Sequence, residues 1–336
     1  MIVIEKYGGS VLKSVDDIIK IGNKIIDDYD RNNKYIIILS AIKNKTNELI
    51  EDINKVSSNI NKYYSNYITL GEIQSSILLS SYLDKYFNVA YLDPFKLNLK
   101  CTNSYLDASL LSIDINRLIT YLDTNDIIII PGFQGINDSN EIVTLGRNGS
   151  DTTSVYIYKE ISKITKAKCI LYKDTSLYQI DPKIGKSLKH DFISYNQIEL
   201  LNKLGNSIIS SEAIKILKEN NLELLLENIN TNESTLISNK KSNLELLTII
   251  PKKYYEIVIS NINNKKIINH IKHLFKNNYI ITNDTIKILT TKQINNYLDV
   301  FLLIDPNISF SYKQININEY IYDNKIILKQ DDKIAS

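Results

Sequence analysis

Short apolar runs and segments with helical spacing alternate along the first two thirds of the chain. A short apolar run bounded by turn residues predicts a buried strand, whereas apolar residues spaced three and four apart predict a helix. Strands are predicted at Ile2–Glu5, Tyr35–Leu39, Val89–Leu92, Ile127–Ile130, Cys169–Tyr172 and Leu222–Leu226. Helices are predicted from Ser14 onward and at Thr46–Ile60, Gly71–Tyr86, Ser112–Leu122, Ser150–Ile161, Ser194–Leu204 and Glu212–Asn220.

The order of these elements predicts an α/β fold. Alternating strands and helices favour a three-layer αβα sandwich with a mostly parallel sheet. One hairpin interrupts the alternation, with a turn at Asn137–Asn140 between Phe133–Ile136 and Ile142–Leu145. Ligands of such sheets bind beyond the carboxyl ends of the strands, so functional residues are expected there.

A polar segment at Asn230–Asn243 predicts a boundary, and the pattern changes after it. Strands are predicted at Tyr255–Ile259, Tyr279–Thr282 and Thr285–Thr290, an amphipathic helix at Lys265–Lys276, and less regular elements at Ile294–Leu303 and Ile308–Ile315. This β-α-β-β order predicts a small ferredoxin-like α+β module. We therefore predict one domain at residues 1–240 and a second at residues 245–331.

Composition excludes several classes of partner. The chain has 40 Lys and Arg against 38 Asp and Glu, a net charge of +2, so no basic surface points to nucleic acid. No apolar run approaches the ~18 residues of a membrane span. Two cysteines provide neither a disulfide framework nor a metal site, and the first residues do not resemble a signal peptide. A cytoplasmic protein is expected.

Glycine is scarce and clustered. Eight of the ten glycines lie in five short segments: Lys6–Ser10, Leu70–Glu72, Pro131–Gly135, Gly146–Asp151 and Leu204–Asn206. Glycine lets backbone N–H groups approach a ligand closely, so these segments, beside charged residues, indicate a phosphate-handling site. Each segment alone is also compatible with an ordinary tight turn.

The first and fourth segments contain the strongest candidates for chemistry. The N–H groups of Gly8, Gly9 and Ser10 could cradle a phosphate beside Lys6, although the P-loop spacing is absent. In the other segment, Arg147 provides a planar fork for a carboxylate, and Gly149 and Ser150 place N–H groups at a helix start. Asp151 could orient Lys6. The alternative for this segment is a simple helix cap.

Three further polar residues lie near predicted strand ends or helix starts. Glu72 would stabilise a helix dipole and could also pair with a substrate ammonium group. Ser40 and Thr46 could bind a small polar substrate or act as caps. The three histidines lie outside every glycine segment, and no metal-ligand cluster or Ser-His-Asp set can be assembled. No metal site within the protein is predicted.

In this order, the motifs over residues 1–240 closely resemble the aspartate kinases of the amino acid kinase family. The most diagnostic string is Leu145-Gly-Arg-Asn-Gly-Ser-Asp-Thr-Thr153, which follows Lys6-Tyr-Gly-Gly9, Leu70-Gly-Glu72 and Gly132-Phe-Gln-Gly135. The family phosphorylates the β-carboxylate of L-aspartate with MgATP, opening lysine, threonine and methionine synthesis. The resemblance implies ATP and Mg²⁺ as cofactors and a homodimer or larger homo-oligomer.

The resemblance also implies residue roles. Catalytic roles fall to Lys6 and Asp151. Aspartate would be held by Ser40, Thr46, Glu72, Phe133, Arg147, Gly149 and Ser150, with Arg147 on the α-carboxylate and Glu72 on the ammonium. The nucleotide would lie near Lys6, Gly8, Gly9, Ser10, Lys173, Asp174, Tyr178 and Lys183. The C-terminal region resembles a reduced ACT-type regulatory module.

Several positions depart from the family pattern, mainly on the nucleotide side. The phosphate turn is one residue shorter, Asn148 replaces a usual glycine, and Ser207 replaces a nucleotide-contacting lysine. These departures keep two alternatives open. The chain could be a non-catalytic amino-acid sensor or regulatory subunit, or an amino acid kinase acting on a glutamate-type substrate or a nucleoside monophosphate.

Overall fold

The computed structural model describes residues 1–178, 188–203, 207–240, 247–260, 268, 279–281, 285–290, 309–322 and 325–330. The chain divides into two compact units. The first comprises Met1–Tyr178 and Lys189–Leu244, and the second comprises Gln179–Leu188 and Glu245–Ser336. The assignment of a catalytic domain to residues 1–240 and a regulatory domain to residues 245–331 stays a prediction.

Helices of the first unit agree well with the hydrophobic pattern. They are α1 (Val15–Asp28), α2 (Lys45–Val56), α3 (Lys62–Ile68), α4 (Leu70–Leu83), α5 (Ile115–Thr124), α6 (Gly149–Ser162), α7 (Tyr195–Lys203) and α8 (Ser211–Glu219). Helix α1 begins at a capping box, where the Asp17 carboxylate accepts a 3.1 Å hydrogen bond from the Ser14 N–H.

Helix α3 was not predicted. Helix α2 ends at Val56, and the Asn61 side chain accepts hydrogen bonds from the N–H groups of Tyr63 and Tyr64, which starts α3 as a separate helix. Because α3 has only seven residues, its periodicity was too short to recognise.

Strands of the first unit form two sheets. They are β1 (Ile2–Tyr7), β2 (Lys34–Leu39), β3 (Val89–Tyr91), β4 (Lys100–Cys101), β5 (Leu110–Ser112), β6 (Ile127–Pro131), β7 (Gln134–Ile136), β8 (Ile142–Thr144), β9 (Ala167–Lys173), β10 (Phe192–Ser194), β11 (Leu224–Asn228) and β12 (Ser234–Ser238). The large sheet has the order β10-β12-β11-β9-β1-β2-β6-β3, and only β11 and β12 pair antiparallel. A small sheet has the order β5-β4-β7-β8.

The predicted mostly parallel α/β architecture is confirmed by the large sheet. Its central strands are covered on both faces, which explains their continuous apolar sequence: Ile36, Ile37 and Ile38 are all fully buried. Helices α1 and α4 pack together on one side, and α6 packs on β1 and β9. Strands β4, β5, β10 and β12 were missed because they are short and depend on distant pairing partners.

The second unit contains an antiparallel sheet. Its strands are β13 (Leu247–Ser260), β14 (Tyr279–Ile281), β15 (Thr285–Thr290), β16 (Ser309–Tyr322) and β17 (Lys325–Gln330), in the order β14-β15-β13-β16-β17. The predicted strands at Tyr255–Ile259, Tyr279–Thr282 and Thr285–Thr290 are present, and β13 is longer than predicted. The predicted elements at Lys265–Lys276 and Ile294–Leu303 lie largely or entirely outside the described residues. The ACT-type assignment stays a prediction.

Helices long and apolar enough to cross a membrane do not occur among the described residues.

Candidate functional site

A cavity of about 1060 Å³ opens in the first unit where β1, β2, β6 and β9 end. This is the edge at which ligands of parallel sheets bind. Most of the predicted site residues line it: Lys6, Gly8, Gly9, Ser10, Ser40, Thr46, Glu72, Phe133, Arg147, Gly149, Ser150, Lys173 and Asp174. Asp151 lies beneath the cavity in contact with Lys6. Tyr178 lies outside the lining, and Lys183 lies outside the described residues.

A buried carboxylate between two lysines forms the base of the site. Lys6 Nζ lies 2.5 Å from Asp151 Oδ1, and Lys173 Nζ lies 3.6 Å from Asp151 Oδ2. Burial alone would raise the pKa of Asp151, but the charges of Lys173 and Lys6 outweigh burial and hold it below its ordinary value. Two ammonium groups share one carboxylate, so the cluster retains a net positive charge suited to phosphate.

The turn after β1 brings backbone close to the Lys6 ammonium. A Cβ atom at Gly8 would lie 2.6 Å from Lys6 Nζ, so a larger residue would displace the lysine. The Gly8 carbonyl accepts hydrogen bonds of 3.0 and 3.1 Å from the N–H groups of Val11 and Leu12. The absence of a side chain at Gly8 therefore leaves room for the Lys6 ammonium group, in addition to its role in the turn.

The start of α6 is built from a glycine-rich turn. Gly146 and Asn148 have φ values of 70° and 57°, in the left-handed region. Arg147 between them is exposed, and its guanidinium makes no hydrogen bond or ion pair within the described part of the chain. A Cβ atom at Gly132 would lie 2.7 Å from Ser150 Oγ, so the end of β6 packs directly on the helix start.

Glu72 supplies a second carboxylate to the lining of the cavity. It is 4% exposed in the first turn of α4, and its Oε2 has no hydrogen-bond partner among the described residues. Burial raises the pKa of Glu72 to about 8, although Ala41 N–H and the charge of Lys6 oppose the shift. A buried carboxylate with one oxygen free of hydrogen bonds, on a cavity wall, suits a cationic ligand group.

Close packing and strain position the neighbours of Glu72. A Cβ atom at Gly71 would lie 2.7 Å from the Ala41 Cβ, so α4 starts against the loop that carries Ser40. Ser75 Oγ donates a 2.7 Å hydrogen bond to the Ser40 carbonyl. Phe133 has a φ of 72°, and its N–H donates to Thr153 Oγ1 over 3.2 Å, which holds the half-buried ring at the cavity.

The remaining wall is held by side-chain hydrogen bonds. Glu233 Oε2 accepts from Ser176 Oγ at 2.5 Å and from the Tyr178 hydroxyl at 3.1 Å. These bonds hold the segment after Lys173 against the β11–β12 connection. Tyr178 therefore contributes to positioning this segment in the structure.

Two departures from the family pattern meet on this wall. Asn148 Nδ2 donates a 2.9 Å hydrogen bond to Ser207 Oγ, across 59 positions of the chain. Asparagine tolerates the left-handed backbone that glycine usually adopts, so the turn keeps its shape. The predicted segment Leu204–Asn206 lies outside the described residues.

Sequence reasoning missed several residues of the site. Glu233 and Asn228 lie in or next to β11 and β12, and Asn228 Nδ2 donates a 3.0 Å hydrogen bond to Ser176 Oγ. Tyr64 and Ile68 of α3 also line the cavity. No local signal marks them, because each reaches the site only through tertiary packing.

Comparisons with known proteins agree with this geometry. A family model described as "Amino acid kinase family" matches residues 1–228. An aspartokinase of Geobacillus stearothermophilus is 26% identical over 253 residues, which cover 74% of this chain and 61% of that protein. An aspartokinase of Rickettsia felis is 33% identical over 257 residues, which cover 73% and 62%. The chain thus spans about three fifths of the length of these curated relatives.

A solved structure is similar in fold. The crystal structure of E. coli aspartokinase III in complex with aspartate and ADP aligns with a TM-score of 0.65 over 96% of this chain and 88% of that chain. The sequence identity is 14%, so this similarity bears on the fold alone.

Proposed function

Because the chain belongs to the amino acid kinase family, we propose that it is an aspartate kinase. It transfers the γ-phosphoryl group of ATP to the β-carboxylate of L-aspartate and forms 4-phospho-L-aspartate and ADP. One observation carries the proposal: the same cavity contains the buried Glu72 carboxylate, whose Oε2 has no hydrogen-bond partner among the described residues, and the Arg147 guanidinium, which has no partner there either. These two groups complement the ammonium and carboxylate of an α-amino acid.

Glu72 recognises the substrate ammonium. In the ligand-free site, burial raises its pKa to about 8, so much of the carboxyl group is protonated at neutral pH. An arriving ammonium group stabilises the ionised form and thereby lowers the pKa. Arg147 binds the α-carboxylate through its planar fork. Ser40, Thr46, Phe133, Gly149 and Ser150 complete the aspartate site.

The reaction needs no general base. The β-carboxylate has an ordinary pKa of about 3.9 and is already anionic at neutral pH. Phosphoryl transfer then depends on positioning and on neutralising charge. Lys6 and Lys173 supply positive charge beside the transferred group, and the N–H groups of Gly8, Gly9 and Ser10 bind phosphate oxygens. Asp151 is a positioning residue, since its ion pair directs the Lys6 ammonium.

Mg²⁺ fits this site as a companion of the nucleotide. The described residues contain no group of three or more His, Cys, Asp or Glu suited to a metal. Magnesium bound to nucleotides uses one or two carboxylates and the phosphates. Asp151 is buried between two lysines. Asp174 lines the cavity and pairs with the exposed Lys13 at 3.4 Å, a contact open to solvent, so Asp174 would hold the ion. The ion would neutralise phosphate charge. Tyr178 and Lys183 complete the proposed nucleotide side.

A direct assay tests the proposal. Acyl phosphate formed from ATP and aspartate is trapped as the hydroxamate, and activity is compared between wild type, Arg147→Ala and Arg31→Ala. Arg31 is an exposed arginine outside the cavity, so its variant is the matched control. Wild-type activity that falls only in Arg147→Ala supports the proposal. Equal activity in wild type and Arg147→Ala would contradict it.

Calorimetry and a substrate panel in the hydroxamate assay separate the alternatives. A sensor would bind aspartate in calorimetry without binding MgATP, and it would form no hydroxamate. The altered Asn148–Ser207 contact on the nucleotide wall is the observation that favours this second candidate. A kinase of another substrate would use glutamate or uridine monophosphate in place of aspartate.

A cytoplasmic location and a homo-oligomeric state belong to the proposed aspartate kinase function. Light scattering tests the oligomeric state.

A further inference from the structure

A second cavity lies on the other side of α3 and β7. Its volume is about 340 Å³, within the range of small-molecule sites. It shares no lining residue with the first cavity, although Gln134 directly follows Phe133, which lines the first. The two cavities are therefore neighbours with separate walls.

Gln134 is a buried polar residue in the wall of this second cavity. The residue is fully buried in β7, and neither its amide nitrogen nor its amide oxygen has a hydrogen-bond partner among the described residues. Burying an amide without hydrogen-bond partners is unfavourable, so a ligand that supplies them is favoured. Gln134 lines the cavity, so its wall contains one buried donor and one buried acceptor that the described residues do not satisfy.

The walls around Gln134 are largely apolar and aromatic. They are formed by Tyr63, Ile73, Tyr91, Pro94, Phe95 and Ile142. Tyr63 and Phe95 are 70% and 48% exposed, which is unusual for aromatic side chains that could pack inside. Two exposed rings at the mouth of a cavity provide faces on which a flat molecule can stack.

The charged groups at the rim already have partners. Lys62 Nζ lies 3.1 Å from Glu141 Oε1, and Tyr105 donates a 2.7 Å hydrogen bond to Glu141 Oε2. Asp93 Oδ1 accepts a 2.8 Å hydrogen bond from the Lys96 N–H. Lys62 and Glu141 neutralise each other, and a backbone N–H already binds the Asp93 carboxylate, so an anionic ligand is disfavoured and an uncharged one is accommodated.

We propose that this cavity binds a small, uncharged, planar molecule that carries a hydrogen-bond donor beside an acceptor on one edge. A glutamine amide pairs with such an edge through two hydrogen bonds, as it does with adenine. Nucleobases and aromatic carboxamides share this chemistry. The site is independent of the proposed kinase reaction, because none of its residues lines the first cavity.

Calorimetry with uracil and nicotinamide on the full chain tests the site. Gln134→Leu removes both amide atoms at similar volume, and Gln74→Leu, at an exposed position of α4, is the matched control. We expect binding to weaken at least about tenfold in Gln134→Leu and to be unchanged in Gln74→Leu. Uracil and nicotinamide distinguish a nucleobase site from a carboxamide site. 1,3-Dimethyluracil, which lacks N–H donors, should bind more weakly than uracil.

Each titration is repeated with excess ADP and aspartate to fill the first cavity. The proposal would be overturned if binding disappeared under these conditions. It would also be overturned if wild type and Gln134→Leu bound both probes with equal affinity, or if wild type bound neither probe. Gln134→Leu should fold, since it removes an unsatisfied buried amide. If circular dichroism shows otherwise, Phe95→Ala at the exposed rim replaces it, with the same expected loss of affinity.

Discussion

The two sides of the first cavity are constructed differently. On the proposed acceptor side, backbone packs directly against neighbouring elements, as where Gly132 meets Ser150 and Gly71 meets Ala41. On the proposed nucleotide side, hydrogen bonds between side chains hold the wall, with Glu233 accepting from two hydroxyl groups. Backbone contact tolerates few substitutions, whereas a hydrogen bond can be replaced by another pair of polar groups.

This contrast explains where the sequence departs from the family. Glu72, Arg147 and Ser150 match the family motif, while Asn148 and Ser207 do not. The two departing residues hydrogen-bond to each other at 2.9 Å. This hydrogen bond on the proposed nucleotide wall, called the replacement contact below, connects the two departing positions.

The largest expected effect comes from Lys6, which both sides share. Lys6→Met removes the buried cation beside Asp151, and we expect kcat to fall on the order of 10²–10³-fold, as for the loss of one preorganised charge donor. The hydroxamate assay measures this effect. Lys20→Met, at an exposed position of α1, should retain activity. Activity within about threefold of wild type in Lys6→Met would remove the lysine from the mechanism.

Glu72 tests the acceptor side. Glu72→Gln loses a charge-assisted hydrogen bond to the ammonium, so KM for aspartate should rise roughly 10–100-fold while KM for ATP changes little.

The affinity of the wild-type protein for aspartate should also increase as pH rises toward 8. Below its pKa of about 8, Glu72 must first lose a proton before it can bind the ammonium group.

Calorimetry between pH 6 and 8 measures this slope, which approaches tenfold per pH unit well below the pKa. The slope should be absent in Glu72→Gln. A slope of the same size in both proteins would assign the titration to another group.

Glu233 tests the nucleotide side. Hydrogen bonds from Ser176 and Tyr178 hold its pKa below the ordinary value, so it is ionised at neutral pH. Glu233→Ala releases the segment after Lys173, and KM for ATP should rise roughly tenfold with little change in KM for aspartate. Glu219→Ala, at an exposed position of α8, is the control. If KM for ATP and KM for aspartate rose equally in Glu233→Ala, the two sides of the cavity would not be functionally separate.

The smallest effect is expected for the replacement contact. A double-mutant cycle of Asn148→Ala and Ser207→Ala should give a coupling energy of about 0.5–1.5 kcal/mol in MgATP binding, the net value of one hydrogen bond. Calorimetry measures each affinity. Additive effects of the two substitutions would show that the contact does not act as a unit.

Much of the fold could be predicted because it depends on local patterns. Ile36–Ile38 lie in a continuous apolar run, and such runs indicate strands buried on both faces. The short elements α3 and β4 could not be predicted, since seven residues complete fewer than two helical turns and two residues show no strand pattern. Site residues were found where glycine segments marked strand ends. Glu233 and Gln134 were missed because their significance comes from distant or absent partners.

The amino-acid sequence by itself determined the order of strands and helices, the edge of the sheet where ligands bind and the residue types that gather there. These features follow from local periodicity and from the geometry of parallel sheets. The tertiary structure alone decided that Asp151 lies between Lys6 and Lys173, that Glu72 Oε2 and the Gln134 amide have no partner among the described residues, and that Asn148 meets Ser207. Such contacts join residues far apart in the chain, and burial sets their energy, so only the packed molecule determines them.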